Sequence, residues 1–172
     1  MTLTLTTSIG RPAGRALVRS LCGAALFVTA FSSSAFAGPF DIFAGKWAGT
    51  GTILVGDGGS ERIRCQATYN LGPNGTAVSQ ILRCASDSYR FDLTTNVESS
   101  GGQLSGEWGE ASRGVNGTLQ GRMTANGDVQ ATVSTVGFNA NLNVSVRGNR
   151  QTISIRSDNT DLRGVDISLT KS

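Results

Sequence analysis

From Lys46 onward the chain alternates apolar and polar residues with period two, segment after segment, and no other feature limits its fold as strongly. In "ERIRCQATYNL", Ile63, Cys65, Ala67, Tyr69 and Leu71 fall on one face, and Arg62, Arg64, Gln66, Thr68 and Asn70 on the other. "YRFDLTTNVE" sets Tyr89, Phe91, Leu93, Thr95 and Val97 against Arg90, Asp92, Thr94, Asn96 and Glu98. "KWAGTGTILV", "AVSQILRC", "QLSGEW", "VNGTLQGRMTA", "DVQATVST", "NANLNVSVR", "RQTISIRS" and "GVDISLTK" carry the same pattern, with turn residues rich in Gly and Asn between them. Each is the signature of a half-buried antiparallel strand, because successive side chains of a strand point to opposite faces. Strands buried on both faces, as in a parallel sheet, would read as continuous apolar runs.

Consecutive strands with one apolar face must close on that face. Glycines on the inward register (Gly49, Gly51, Gly106, Gly117, Gly121) mark the bends at which a sheet curls into a barrel. The expected fold is all-β, a single antiparallel up-and-down barrel of about ten strands. One short helical turn is expected in "PFDIFAG", opened by Pro39 and closed by Gly45.

The segment from Cys65 to Cys84 can be aligned as a hairpin turning on Pro73-Asn74-Gly75-Thr76. Leu71 then faces Val78, Tyr69 faces Gln80, Ala67 faces Leu82, and Cys65 falls opposite Cys84 on the apolar face. Opposed β-carbons lie about 4.5–5.5 Å apart, within the reach of a disulfide after local twist. A zinc site would need two more ligands, and the chain contains no histidine. The pair is therefore expected to be a disulfide.

The N-terminal stretch has a different character. Arg11, Arg15 and Arg19 precede the apolar run "LCGAALFVTAF", which ends in small polar residues and "AFA". That order reads as a secretory signal peptide over residues 1–37, cleaved after Ala37, with the barrel domain in 38–172. The apolar run is too short to anchor the chain permanently in a bilayer. The expected location is periplasmic or secreted, where disulfides persist. Cleavage also changes the charge. The whole chain has 15 basic and 12 acidic residues, and three of the basic ones are the signal arginines, so 12 remain against 12. The basic balance of the whole chain therefore says nothing for nucleic acid, whose binding needs a basic patch that survives maturation, and no nucleic-acid partner is expected.

Catalytic chemistry is sparse. Without histidine there is no Ser-His-Asp or Cys-His triad. Glu107 and Glu110 flank Trp108, but a glycosidase pair needs an enclosed acid, and both are expected to face solvent. "DGGSE" has too few oxygen ligands for calcium. "GTG" and "GDGG" lead into strands, not the helix that a phosphate loop requires. No enzyme activity, metal or cofactor is expected.

"FAGKWAGTG" resembles the Gly-x-Trp opening of calycin-type barrels, the group of lipocalins and fatty-acid-binding proteins. The whole chain from Gly38 on resembles more closely a family of small exported alphaproteobacterial proteins of unsettled function, through "RIRCQATY", "CASDSYRF" and "ISLTK". The calycin resemblance implies that Trp47 plugs the closed end of the barrel and stacks on an arginine, here Arg156 or Arg163. Fatty-acid binders hold a carboxylate with inward arginines. Here the strand arginines (Arg62, Arg64, Arg83, Arg90, Arg122, Arg147, Arg156) take the outward register, so a buried anion is disfavoured.

The resulting expectation is a barrel that binds a small neutral apolar ligand, with Trp47, Tyr69, Gln80, Tyr89, Phe91, Trp108 and Met123 as cavity-lining candidates. The small inward residues Gly117, Gly121, Ala125, Ala131 and Ala140 would leave it room. The alternative is a non-enzymatic envelope protein with a filled core that docks to another envelope protein. No co-purified ligand, together with a void below about 300 Å³, would defeat the binding reading.

Overall fold

The computed structural model describes residues 37–158 and 160–172; the predicted signal segment, apart from Ala37, lies outside them. The chain enters through a single 3-10 turn, Asp41–Phe43, and continues into ten strands. These are β1 (Gly45–Val55), β2 (Ser60–Leu71), β3 (Ala77–Ala85), β4 (Arg90–Ser100), β5 (Gln103–Glu110), β6 (Val115–Met123), β7 (Val129–Thr135), β8 (Phe138–Arg147), β9 (Arg150–Ser157) and β10 (Leu162–Lys171). A second 3-10 turn, Pro73–Gly75, joins β2 to β3.

Every strand pairs antiparallel with its sequence neighbour, and β1 pairs with β10 from Trp47↔Lys171 to Val55↔Leu162. The sheet is thus a closed up-and-down barrel, as the alternation predicts. Closure satisfies the backbone groups of both terminal strands and leaves no edge open to another chain. The buried residues repeat at every second position: Ile63, Cys65, Ala67 and Tyr69 on β2, and Val165, Ile167 and Leu169 on β10. The named strand arginines lie on the opposite face and are exposed, as expected. Several pair with acids of neighbouring strands, as Arg156 does with Asp166 at 2.7 Å. Such exposed pairs add at most about 1 kcal/mol each.

The inward glycines have a steric reason. A Cβ at Gly49 would sit 2.0 Å from the carbonyl oxygen of Ser168, and one at Gly106 would sit 2.2 Å from that of Asn96. The neighbouring backbone passes too close for any side chain, which lets the sheet bend inward there.

The β2–β3 register is the predicted one: Leu71↔Val78, Tyr69↔Gln80, Ala67↔Leu82 and Cys65↔Cys84. The two cysteines form a disulfide, with Cα atoms 4.1 Å apart. Asn74, the turn residue with φ of 58°, occupies the left-handed region that asparagine tolerates.

The two ends of the barrel differ. At one end Phe40, Phe43 and Trp47 are all buried and form a plug. Trp47 Nε1 donates to the carbonyl of Phe43 at 2.7 Å, tying the entering turn to the first strand. The Phe43 ring lies 5.8 Å from that of Tyr69, so the plug rests on β2. The cation over Trp47 is neither Arg156 nor Arg163. It is Lys171, whose Nζ lies 5.4 Å from the ring centre. Pairing of β1 with the end of β10 puts Lys171 beside Trp47, whereas Arg156 is on the outer face and Arg163 donates to the carbonyl of Asp158.

Candidate functional site: an apolar cavity with a polar row

Between the plug and the opposite end lies a cavity of about 490 Å³. It sits within the range of about 300–1,000 Å³ usual for small-molecule sites. Most of its wall is aliphatic and aromatic, contributed by all ten strands. The volume exceeds the threshold set above, so the core is not filled.

Five of the seven candidates line this cavity: Tyr69, Gln80, Tyr89, Phe91 and Trp108. Trp47 does not. It belongs to the plug, with its indole covered by Lys171 and bonded to Phe43. Met123 does not either; it is buried at the end of β6, beside the turn at Gly102, whose carbonyl accepts from the Met123 N–H. Both face inward as their parity demands, but parity does not say at what height along the barrel axis a residue lies. Ala125, expected to leave interior room, is exposed in the β6–β7 turn.

Away from the end opposite the plug, where Glu110, Arg113, Ser157, Thr160 and Asp161 line the cavity, the polar wall is concentrated in one row. Tyr69 pairs with Gln80, Gln80 with Thr95, and Thr95 with Trp108, so four consecutive strands contribute one row across the cavity. The Tyr69 oxygen accepts from Gln80 Nε2 at 3.1 Å and from Gln151 Nε2 at 2.8 Å. Burial pushes the phenol well above its ordinary range, so it stays protonated. Gln151 is fully buried on β9, and its Oε1 has no hydrogen-bond partner among the described residues. The Trp108 indole lies against Gly117, where a Cβ would come within 2.9 Å of Nε1, and its N–H likewise has no partner among them.

Thr95 and Gln151 were not among the candidates. Thr95 is signalled by its inward parity on "FDLTTNV". Gln151 gave a weaker signal, a polar residue on the same parity as Ile153 and Ile155.

The mouth contains an acid that sequence reading placed in solvent. Glu110 is buried, on the same face as Leu104 and Trp108, and lines the cavity. Its Oε1 accepts from the Asp92 N–H at 2.9 Å, the Ser112 N–H at 3.1 Å and the Ser112 hydroxyl; its Oε2 accepts from the Arg113 N–H at 2.9 Å. These donors make burial tolerable. The Arg113 guanidinium lies 4.7 Å over the Phe91 ring and 3.4 Å from Glu110, and Tyr89 stacks parallel to Phe91 with centroids 6.3 Å apart. Burial alone would raise the Glu110 pKa, but the hydrogen bonds from Asp92, Ser112 and Arg113 outweigh it and hold the carboxyl below its ordinary range. A carboxylate so engaged orders its loop rather than exchanging protons. Glu107, three residues back and on the other face of the strand, is exposed, so the two acids do not form a facing pair.

No protein-family model matches the chain, and no curated protein matches it. Solved structures do. Rv2717c from M. tuberculosis superposes with a TM-score of 0.65 at 10% identity, covering 78% of this chain and 93% of that one. The S-type phycobiliprotein lyase CPES from Guillardia theta gives 0.54 at 6% identity, covering 77% and 90%. Identities this low establish a shared barrel fold and nothing about chemistry.

Proposed function

We propose that this protein holds a small, neutral, largely apolar molecule inside its barrel, outside the cytoplasm, and catalyses no reaction. One observation carries the reading: a cavity of about 490 Å³ whose wall is almost wholly apolar, with a short polar row across one side. Apolar burial supplies the affinity of such sites, and a few placed polar groups orient the occupant. The disulfide supports an oxidising compartment, consistent with the signal-like N-terminus. We also assign the chain to the small exported alphaproteobacterial proteins whose sequence pattern it shares. The outward strand arginines support a neutral occupant, since an anion deep in the barrel would lack a counter-charge. The likeness to a phycobiliprotein lyase supports the barrel alone; neither that protein's reaction nor its partner follows.

Native mass spectrometry of the protein purified from the periplasm tests the proposal. A bound small molecule is expected, and Leu142→Trp, which fills the cavity from its wall, should abolish it. Unliganded protein, together with no saturable uptake of an apolar fluorescent probe by wild type, would leave a non-enzymatic envelope protein that acts by docking to a partner as the better reading.

A further inference from the structure

The polar row narrows the ligand class. Tyr69, Gln80 and Thr95 are direct cross-strand neighbours on β2, β3 and β4, and all three line the cavity. The Tyr69 oxygen already accepts two N–H bonds, from Gln80 and Gln151, so its lone pairs are engaged and its own proton is left to donate. Gln151 sits wholly buried behind this phenol and holds it in place. An enclosed polar group without its partner costs about 1–3 kcal/mol, so a donor facing an apolar cavity favours an occupant that brings an acceptor. The row contains no charged side chain, whereas the one cation on the cavity wall among the described residues, Arg113, is at the mouth over Phe91.

We propose that the occupant is a neutral apolar molecule bearing one uncharged oxygen acceptor, a ketone, ester or hydroxyl, which accepts from the Tyr69 hydroxyl within the polar row. This deepens the carrier reading and rests on it. The hydrocarbon part fills the aliphatic wall toward the mouth. A carboxylate is excluded from the row, since no cation there would repay its desolvation.

The test uses three probes of matched shape, 2-ethylnaphthalene, 2-acetonaphthone and 2-naphthoate, with affinities read by competition against an apolar fluorophore. The quantity of interest is the affinity of the ketone relative to the hydrocarbon. Tyr69→Phe should lower that ratio about tenfold, with hydrocarbon binding unchanged, the worth of roughly one well-placed hydrogen bond. Gln80→Leu, a second variant in the same row, should lower it severalfold. Melting curves on each variant establish that the barrel is intact. Naphthoate should bind most weakly and ignore Tyr69→Phe. A ratio unchanged in both variants overturns the assignment while leaving the carrier reading standing. Naphthoate binding tightest, with loss in Arg113→Gln, overturns it by placing the polar end at the mouth. Failure of wild type to bind any of the three overturns both readings.

Discussion

The side-chain amide of Gln151 on β9 donates to the phenol oxygen of Tyr69 on β2 at 2.8 Å, past the two strands that separate them in the barrel wall. The two partners are not equivalent. Tyr69→Phe leaves the Gln80 and Gln151 amides without their shared acceptor, whereas Gln151→Leu removes one donor together with an unpartnered buried carbonyl. Stranding buried donors costs about 1–3 kcal/mol, while exchanging an incompletely paired group for an apolar one is close to neutral. Urea unfolding should therefore show Tyr69→Phe as the more destabilised variant. The reverse order would mean that Gln151, not Tyr69, anchors the network.

The disulfide joins residues already opposed in a hairpin, so it restrains mainly the unfolded chain. A loop of this length is worth up to about 3 kcal/mol. The Cys65→Ser, Cys84→Ser double variant should fold with the same strand content by circular dichroism and melt several degrees lower. Addition of reductant should bring wild type toward the variant. Identical melting with and without reductant would show that the bridge contributes nothing.

Glu110 gives a pH signature. Its folded-state pKa lies below the ordinary value of 4.5, so its contribution is complete above that pH and disappears as the pH falls through the depressed folded value. Glu110→Gln should be less stable than wild type at neutral pH. The gap should persist down to about pH 4.5 and then close. Asp128 and Asp166, also held low by Arg147 and Arg156, titrate in both proteins and cancel in the comparison. Urea midpoints measured across the acid range check this; a gap that stays constant would contradict it.

The tryptophans occupy distinct positions, Trp108 on the cavity wall and Trp47 in the plug. Filling the cavity with an apolar compound should change the emission of Trp108 and leave that of Trp47 nearly untouched. Trp47→Phe should keep the fluorescence response to 2-acetonaphthone, and Trp108→Phe should lose it. A response that follows Trp47 instead would place binding at the other end of the barrel.

The strand pattern, the inward parity and the Tyr69↔Gln80 and Cys65↔Cys84 pairings were legible in the sequence, because alternation and hairpin register are local properties of consecutive residues. The same parity puts Glu110 inward, since it lies two residues after Trp108 and shares its face. What parity cannot supply is height along the barrel. Strand tilt and stagger set that, and they depend on all ten strands closing together. So Trp47 and Met123, inward by pattern, lie outside the cavity, while Thr95 joins Gln80 in its wall. Contacts between distant parts of the chain arise only on closure. Lys171 reaches Trp47 because β10 pairs with β1, and Gln151 reaches Tyr69 because the sheet curls back on itself. The sequence alone determined an alternating sheet that must hide one face; the tertiary structure decided that the hidden face encloses a space, and which few polar groups look into it.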